Sequence, residues 1–172
     1  MTFVQRMIGA AKLDARAFEE VEADRTATPQ ALVVVVLASL ASGVAIGDGV
    51  RGLVVGTVAG LIGWVVWAWL IQVIGTRWLP EPETRSNTGE LLRVIGFATA
   101  PGILRVIGIL PFLGGLVMAV TLVWTLIAVV VGVRQALDYR STGRAVGVCV
   151  IGWVVQVAIF VVLGLALSRP AW

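Results

Sequence analysis

Four long apolar blocks, separated by short polar segments, dominate the sequence and limit the folds that are open to it. They run over about 31–46, 52–74, 91–133 and 145–167. A helix of about 20 apolar residues spans the roughly 30 Å hydrocarbon core of a bilayer. Charged residues make up only 13% of the chain, against about 25% in soluble domains. The sequence therefore predicts an all-α, polytopic integral membrane protein.

The third block is too long for one crossing, and it decides how many spans the protein has. Pro101, Arg105 and the "LPFLGG" segment at 110–115 interrupt it. Cytoplasmic loops carry an excess of Lys and Arg. Five spans with a cytoplasmic N-terminus place ten of these residues inside and three outside, whereas four spans give nine and four. We therefore predict five transmembrane helices within 31–172, at about 31–47, 52–74, 91–110, 112–133 and 145–167.

Residues 1–30 precede the first span and are expected to form a cytoplasmic, amphipathic helix. Apolar residues recur at helical spacing from Val4 to Val21, and charged residues such as Arg6 and Lys12 occupy the other face. A helix of this kind before a transmembrane bundle commonly lies in the membrane interface. The alternative is that its apolar face packs on another helix or on a partner.

The predicted third span contains a proline near its middle. Pro101 removes a helix hydrogen bond and predicts a kink, and Thr99 is near enough to help satisfy the freed carbonyls. The four letters "RVIG" occur twice in this span, at 93–96 and 105–108. Twelve residues correspond to about 120° around a straight α-helix. The two copies are therefore expected to face different directions and to reflect composition alone.

The same span carries two arginines, and ionisable groups inside a membrane are candidate functional residues. Arg93 is expected at the inner interface, paired with Glu90 one turn earlier. Arg105 would lie about 8 Å from the outer end and is expected to snorkel to the headgroups. The candidate functional and kink residues are Arg93, Thr99, Pro101 and Arg105.

Glycines in the second span predict a helix-packing face. Gly52, Gly56 and Gly60 form two consecutive Gly-xxx-Gly steps, which let another backbone approach closely. A glycine-lined permeation path is the alternative interpretation.

Isolated polar side chains within the spans are interpreted as packing groups. Gln72 and Gln156 are expected to hydrogen-bond across helices. Thr57, Thr121 and Thr125 are expected to return their hydroxyls to their own helix backbones.

The residue inventory argues against catalysis. The chain has no histidine and a single cysteine, Cys149, which lies in an apolar run. No carboxylate lies deep in a predicted span, where a proton relay or a cation-coupled transporter normally needs one. Phosphate-binding loops, zinc-hydrolase motifs and nucleophile elbows are absent from the sequence. We expect no enzyme activity, no cofactor, no metal and no nucleic-acid partner.

Three segments of the chain carry a family resemblance. These are "LLRVIGFATAPGIL" (91–104), with a Gly-aromatic-small-small-small-Pro stretch, "VWTLIAVVVGVRQAL" (123–137) followed by "STGRAV", and "KLDARAFEEVEAD" (12–24). Together they resemble the Yip family of small multi-span membrane proteins, and the last segment is similar to the N-terminal segment of bacterial members. The resemblance implies five helical spans and a cytoplasmic N-terminus.

These observations lead to two functional hypotheses. The first is a non-enzymatic accessory or organising subunit that contacts the bilayer and a membrane-protein partner or a second copy, using the glycine face and the amphipathic helix. The arginine-rich, lysine-poor composition of the chain indicates that the protein is located in a bacterial cytoplasmic (inner) membrane. The alternative is a small-molecule, ion or lipid transporter or channel subunit. In that case the third span is a gate, with Arg93 or Arg105 as the anion or headgroup contact.

Overall fold

Five apolar helical segments form the body of the protein. The structure is a computed structural model that describes residues 1–47, 49–110 and 112–167, and for 163–167 the backbone alone. This part of the chain contains seven α-helices and no strand: α1 (Phe3–Ala11), α2 (Ala15–Ala23), α3 (Thr28–Ile46), α4 (Gly49–Val73), α5 (Thr88–Ala98), α6 (Gly114–Ala136) and α7 (Thr142–Leu167). A 3-10 helix, Ala100–Ile109, follows α5.

The membrane-spanning segments confirm the predicted fold class and the number of spans. Five helical segments are long and apolar enough to cross a bilayer, with mean hydropathies from 1.5 to 2.7. The segments are Arg25–Ile46, Gly49–Trp78, Thr88–Ile109, Gly114–Ala136 and Thr142–Val162. The third is the most enclosed, since half of its most apolar stretch is buried by its neighbours.

The N-terminal segment forms two helices, and the expectation of one continuous helix is wrong. The chain reverses at Leu13, which has a positive φ of 64°. Asp14 then caps α2 by accepting a hydrogen bond from the Arg16 backbone N–H at 3.0 Å. A left-handed leucine is uncommon and has no sequence signature, so the apolar spacing alone does not reveal this break.

The two N-terminal helices are docked on the third and fourth spans. Phe18 and Val21 of α2 are fully buried, and Phe18 packs over Gly132 of α6. Phe3 of α1 meets Phe97 of α5 edge to face, with ring centroids 6.1 Å apart. The amphipathic segment therefore packs on the bundle along most of one face.

The third span changes its helical winding near the proline. The α-helical part ends at Ala98, and residues from Ala100 onward wind as a 3-10 helix, with Pro101 in its first turn. Proline cannot donate the backbone hydrogen bond that an α-helix would need there. Runs of 3-10 helix longer than about four residues are uncommon, so this ten-residue stretch needs support from its neighbours.

Paired small residues join the third span to α3. A Cβ atom added to Gly96 would lie 2.8 Å from the Ala31 Cβ, one added to Gly102 would lie 3.3 Å from the Ala38 Cβ, and one added to Gly108 would lie 3.6 Å from the Ala45 Cβ. We call these three Gly–Ala pairs the small-residue seam. No other two elements in the described part of the chain share so extensive a contact as α3 and the 3-10 helix.

The seam residues of the two helices stay in register because seven residues of α3 span nearly the same length as six residues of the 3-10 helix. Seven residues of α3, from Ala38 to Ala45, rise about 10.5 Å. Six residues of a 3-10 helix, from Gly102 to Gly108, rise about 12 Å and return to the same face, since each turn holds three residues. The expectation that the two "RVIG" copies face different directions is therefore wrong, because both of their glycines contact α3.

A methyl group added to Gly96 is expected to destabilise the protein, because its Cβ would lie 2.8 Å from the Ala31 Cβ and 3.2 Å from the Ala31 carbonyl oxygen. Overpacking of this kind costs about 1–3 kcal/mol. The matched control is Gly108→Ala, whose new Cβ has no contact closer than 3.5 Å. Thermal unfolding in detergent micelles should show a clearly lower midpoint for Gly96→Ala than for Gly108→Ala. Equal midpoints would contradict the seam.

Candidate functional site

Arg93 fastens the N-terminal helices to the third span. Its side chain is 6% exposed, and its Nε donates to the Val21 carbonyl at 3.0 Å. Its Nη2 donates to the Glu22 carbonyl. These carbonyls lie in the last turn of α2, where they lack helical partners and where a cation is favourable.

The expected ion pair between Arg93 and Glu90 does not form. The Glu90 carboxylate instead accepts hydrogen bonds from the backbone and side chain of Asn87, at 3.0 Å and 2.6 Å. Asn87 in turn accepts from the Glu90 backbone N–H, so the two residues form a capping box at the start of α5. The Glu90 carboxylate therefore caps α5, and the Arg93 side chain binds α2 instead.

Arg6 is buried at the interface between α1 and α2, and its expected place on an exposed polar face is wrong. The side chain is 8% exposed. It pairs with Glu20 at 3.0 Å and Asp24 at 2.5 Å, and it donates to Gln30 at 3.0 Å. Hydrogen bonds from Thr26 and then from Arg6 lower the pKa of Asp24 to about 2.

The carboxyl group of Glu22, near the end of α2, has a strongly raised pKa. Partial burial, followed by repulsion from Glu90 and Asp138, raises the pKa of the Glu22 carboxyl to about 7, and Arg93 acts in the opposite direction. An acid with a raised pKa in the folded state opposes folding once it ionises. The docking of α2 is therefore expected to weaken as the pH rises from about 4.5 to about 7.

Arg105 points into the bundle, and the expectation that it snorkels to the headgroups is wrong. Its Nε donates to the Thr121 hydroxyl of α6 at 3.3 Å, and its Nη1 donates to the Ser42 hydroxyl of α3 at 3.0 Å. The 3-10 winding places Arg105 between Gly102 and Gly108 on the face toward α3, since residues three apart are stacked. The guanidinium folds back over Gly102, whose added Cβ would lie 3.5 Å from the Arg105 Cζ.

A cleft extends along this arginine between α3 and α4. It consists of two adjoining cavities of about 300 and 490 Å³, which share Ser39, Ser42, Gly60 and Arg105 in their walls. We call the two cavities together the Arg105 cleft. The remaining lining is largely apolar, with Thr99, Thr125 and Gln156 as further polar residues.

The glycines of the second span form a wall of the Arg105 cleft. Gly52, Gly56 and Gly60 all line it. A Cβ added to Gly56 would meet no atom within 4 Å, whereas one added to Gly60 would lie 2.6 Å from the Ser39 Oγ. Of Gly56 and Gly60, only Gly60 approaches another helix closely enough to need a glycine. The prediction of a continuous packing face is therefore not met at Gly56.

Other polar residues of the spans divide into bonded and unbonded groups. The Thr99 hydroxyl donates to the Gly96 carbonyl at 2.7 Å, and Gln156 donates weakly to the Gly63 carbonyl across the helix pair at 3.5 Å. The Gln72 side chain makes no hydrogen bond to the described residues, whereas the Gln72 backbone carbonyl accepts from the Thr76 hydroxyl at 2.6 Å. Pro101 is buried within the bundle.

Of the three threonines, one behaves as expected and two do not. Thr121 does return its hydroxyl to its own helix, donating to the Val117 carbonyl at 2.7 Å. The hydroxyls of Thr57 and Thr125 are buried and have no hydrogen-bond partner among the described residues. The expectation is therefore wrong for Thr57 and Thr125.

Several structural contacts carry no signal in the sequence. The Trp124 indole N–H donates to the Ala11 carbonyl at the end of α1, at 2.7 Å. The Tyr139 hydroxyl lies 2.9 Å from the Gly75 carbonyl oxygen and 2.7 Å from that of Leu79, and so supports the end of the second span. Burial raises the pKa of Tyr139 to about 12, which keeps its proton in place as a donor. Each contact joins residues 60 or more positions apart, so local pattern cannot predict it.

The site is cationic, and its chemistry suits the binding of an anion. Within the described residues, no three acidic, histidine or cysteine side chains come together as a metal site. Among the described residues, Arg6 pairs with two carboxylates and Arg93 binds backbone carbonyls of α2, whereas Arg105 has two neutral hydroxyl partners and lines a cleft. The arrangement can hold an anion and can anchor helices.

Replacing Glu22 with glutamine is expected to strengthen the docking of α2 at pH 8 and to have no effect near pH 4.5. The folded-state pKa of about 7 lies above the ordinary value of 4.5, so the ionised carboxylate opposes docking only as the pH rises through this window. Amide hydrogen exchange of α1 and α2 at pH 8 should show a free energy of opening that is higher in Glu22→Gln than in the parent protein, by about 1–3 kcal/mol.

The exposed Glu19 of the same helix provides the matched control for this effect. Glu19→Gln should leave the exchange rates of α1 and α2 nearly unchanged at both pH values. An equal gain for Glu22→Gln at pH 4.5 and pH 8 would show that charge is not the cause.

Comparison with known proteins identifies the family of this five-span architecture. The family model described as the Yip1 domain matches residues 14–164, which extend from the capped start of α2 into the last span. No curated protein and no solved structure matched the chain. The match includes the proline-containing third span, Arg93 and Arg105, and it confirms the resemblance described above. The chain belongs to the Yip1 domain family of integral membrane proteins.

Proposed function

We propose that the protein is a non-enzymatic accessory or organising subunit of a membrane, which contacts another membrane protein through α1. The observation that carries this proposal is an apolar stripe on the outward face of α1. Val4 and Ile8 of α1 are 53% and 48% exposed, and their spacing of four residues places them on one side of the helix. Met1, which precedes the helix, is 52% exposed.

The stripe is held in a fixed position. Thr2 and Gln5 form a capping box at the start of α1, and Trp124 binds the carbonyl of Ala11 at its end. On the opposite face, Arg6 is locked by its ion pairs with α2. A rigid apolar surface loses little conformational entropy on binding, which favours its use as a contact.

The position of α1 favours a partner within the membrane. Phe97, which contacts α1, lies nine residues after the start of α5 at Thr88, or about 14 Å along the helix axis. The outward stripe therefore lies beside the N-terminal half of the third span. Helix association inside a bilayer depends on close packing of side chains, so we propose a transmembrane helix of a membrane protein, or of a second copy, as the occupant.

A photo-activated crosslinking residue at Val4 or Ile8 is expected to capture a protein in native membranes. The same residue at Lys12, which is exposed just beyond α1, is the control and should capture several-fold less. Mass spectrometry of the adducts separates a different protein from a second copy of this chain. Adducts with lipid alone at both stripe positions would contradict the proposal.

The orientation of this surface follows from the charge count, and we propose that α1 and α2 face the cytoplasm of a bacterium. Ten Lys and Arg residues fall on this side in a five-span topology. In intact cells, a membrane-impermeant maleimide should therefore fail to label Lys12→Cys and should label it after lysis. Labelling before lysis would reverse the orientation.

A further inference from the structure

We propose that the Arg105 cleft binds the phosphate of an anionic phospholipid, with the Arg105 guanidinium as the phosphate contact. This site is separate from the α1 surface, and the proposal does not depend on any protein partner.

The guanidinium has more donors than the protein uses. Arginine carries five N–H groups in a planar fork. In the described structure, one goes from Nε to Thr121 and one from Nη1 to Ser42. Three N–H groups, on Nη1 and Nη2, therefore have no acceptor among the described residues. Unsatisfied donors on a cation are costly inside a membrane.

The two hydroxyl partners cannot neutralise the charge. Ser42 donates its own proton to the Ala38 carbonyl at 2.9 Å, and Thr121 donates its proton to Val117. Both therefore act toward Arg105 as neutral acceptors. None of the ion pairs among the described residues includes Arg105, and Asp48 lies outside these residues. The site thus presents a cation whose fork matches the geometry of a phosphate.

Further donors line the same cleft. Ser39 lies in both cavities beside Arg105. Trp67 and Thr125 also line the cavity of about 300 Å³, but the Trp67 indole N–H and the Thr125 hydroxyl are themselves buried, without a partner among the described residues. Ser39 is therefore the further side chain of the cleft whose hydroxyl can donate to a ligand bound beside Arg105.

The shape of the cleft favours a lipid over a free anion. Most of its lining is apolar, and side chains at its edges are open to the bilayer: Ile46 is 61% exposed, Val55 is 59% exposed and Phe160 is 46% exposed. Acyl chains can therefore remain in the hydrocarbon while the phosphate reaches Arg105. A free phosphate would have to leave water for an apolar cleft without this compensation.

Native mass spectrometry of the purified protein tests the proposal, with phosphatidylglycerol as the probe. Diacylglycerol with the same acyl chains lacks the phosphate and should bind at least about tenfold more weakly, as expected from hydrogen bonds to a charged group. Arg105→Gln should lower phosphatidylglycerol binding by about 10- to 100-fold. The exposed Arg51 of α4 provides the control, and Arg51→Gln should bind as the parent protein does.

A second pair of variants tests the cleft without removing the arginine. Gly56→Leu places a side chain in open space within the cleft and should lower binding at least about tenfold. Gly115→Leu also meets open space, since an added Cβ has no atom within 4 Å, but Gly115 does not line the cleft, so binding should be unchanged. This pair keeps the proposal testable if Arg105→Gln fails to fold.

The outcomes separate the sources of phosphate. Retention of phosphatidylglycerol binding by folded Arg105→Gln, or by Gly56→Leu, would overturn the proposal. Displacement of the lipid by millimolar inorganic phosphate would assign the cleft to a small anion and would also overturn it. Selective loss in these two variants, with no competition by inorganic phosphate, is the expected result.

Discussion

The close approach of α3 and the third span is the interaction on which the rest of the structure depends. Helices in a bilayer gain little from burying apolar surface, so they associate closely where small residues let their backbones meet. The small-residue seam supplies this at three levels, and Gly96 comes so close that an added methyl group would meet the Ala31 carbonyl oxygen at 3.2 Å. The seam also supports a 3-10 helix far longer than usual, because six of its residues match seven of α3.

The seam determines where the charges of the third span go. Arg93 lies at its N-terminal side and reaches the carbonyls of α2, which joins the N-terminal helices to the spans. Arg105 lies between two seam glycines and reaches Ser42 of α3. The two arginines thus differ in one respect that matters for function: Arg93 is buried against backbone carbonyls of α2, whereas Arg105 lines a cleft. Structure and recognition are divided between them.

Much of the fold, and less of the site, could be predicted from the sequence. Hydropathy and the distribution of Lys and Arg predict the all-α class and five spans, because the bilayer imposes both. The same reasoning selects Arg105 as a residue of interest, since a cation within a span is costly. It places Arg105 wrongly at the headgroups because it assumes a kinked α-helix, and the 3-10 winding turns the side chain toward α3.

Other features depend on contacts between distant residues. The break at Leu13 has no local signature, and Arg6 reads as a surface residue until Glu20 and Asp24 are brought beside it. The glycines at 52, 56 and 60 have the spacing of a packing motif, yet Gly56 faces open space. The seam glycines recur every six residues, a period that indicates packing only once the winding is known.

The register of the seam is tested most directly by a disulfide between Ala45→Cys and Gly108→Cys, in a chain in which Cys149 is replaced by alanine. The Cβ atoms at these positions would be 3.6 Å apart, within the usual disulfide range of about 3.5–4.5 Å. Mild oxidation in membranes should crosslink this pair quantitatively, and should not crosslink Ala45→Cys with Ile107→Cys, since Ile107 is 43% exposed. A regular α-helix from Gly102 would rotate residue 108 by about 120° from α3. Failure of the first pair to crosslink, or equal crosslinking of both pairs, would contradict the seam.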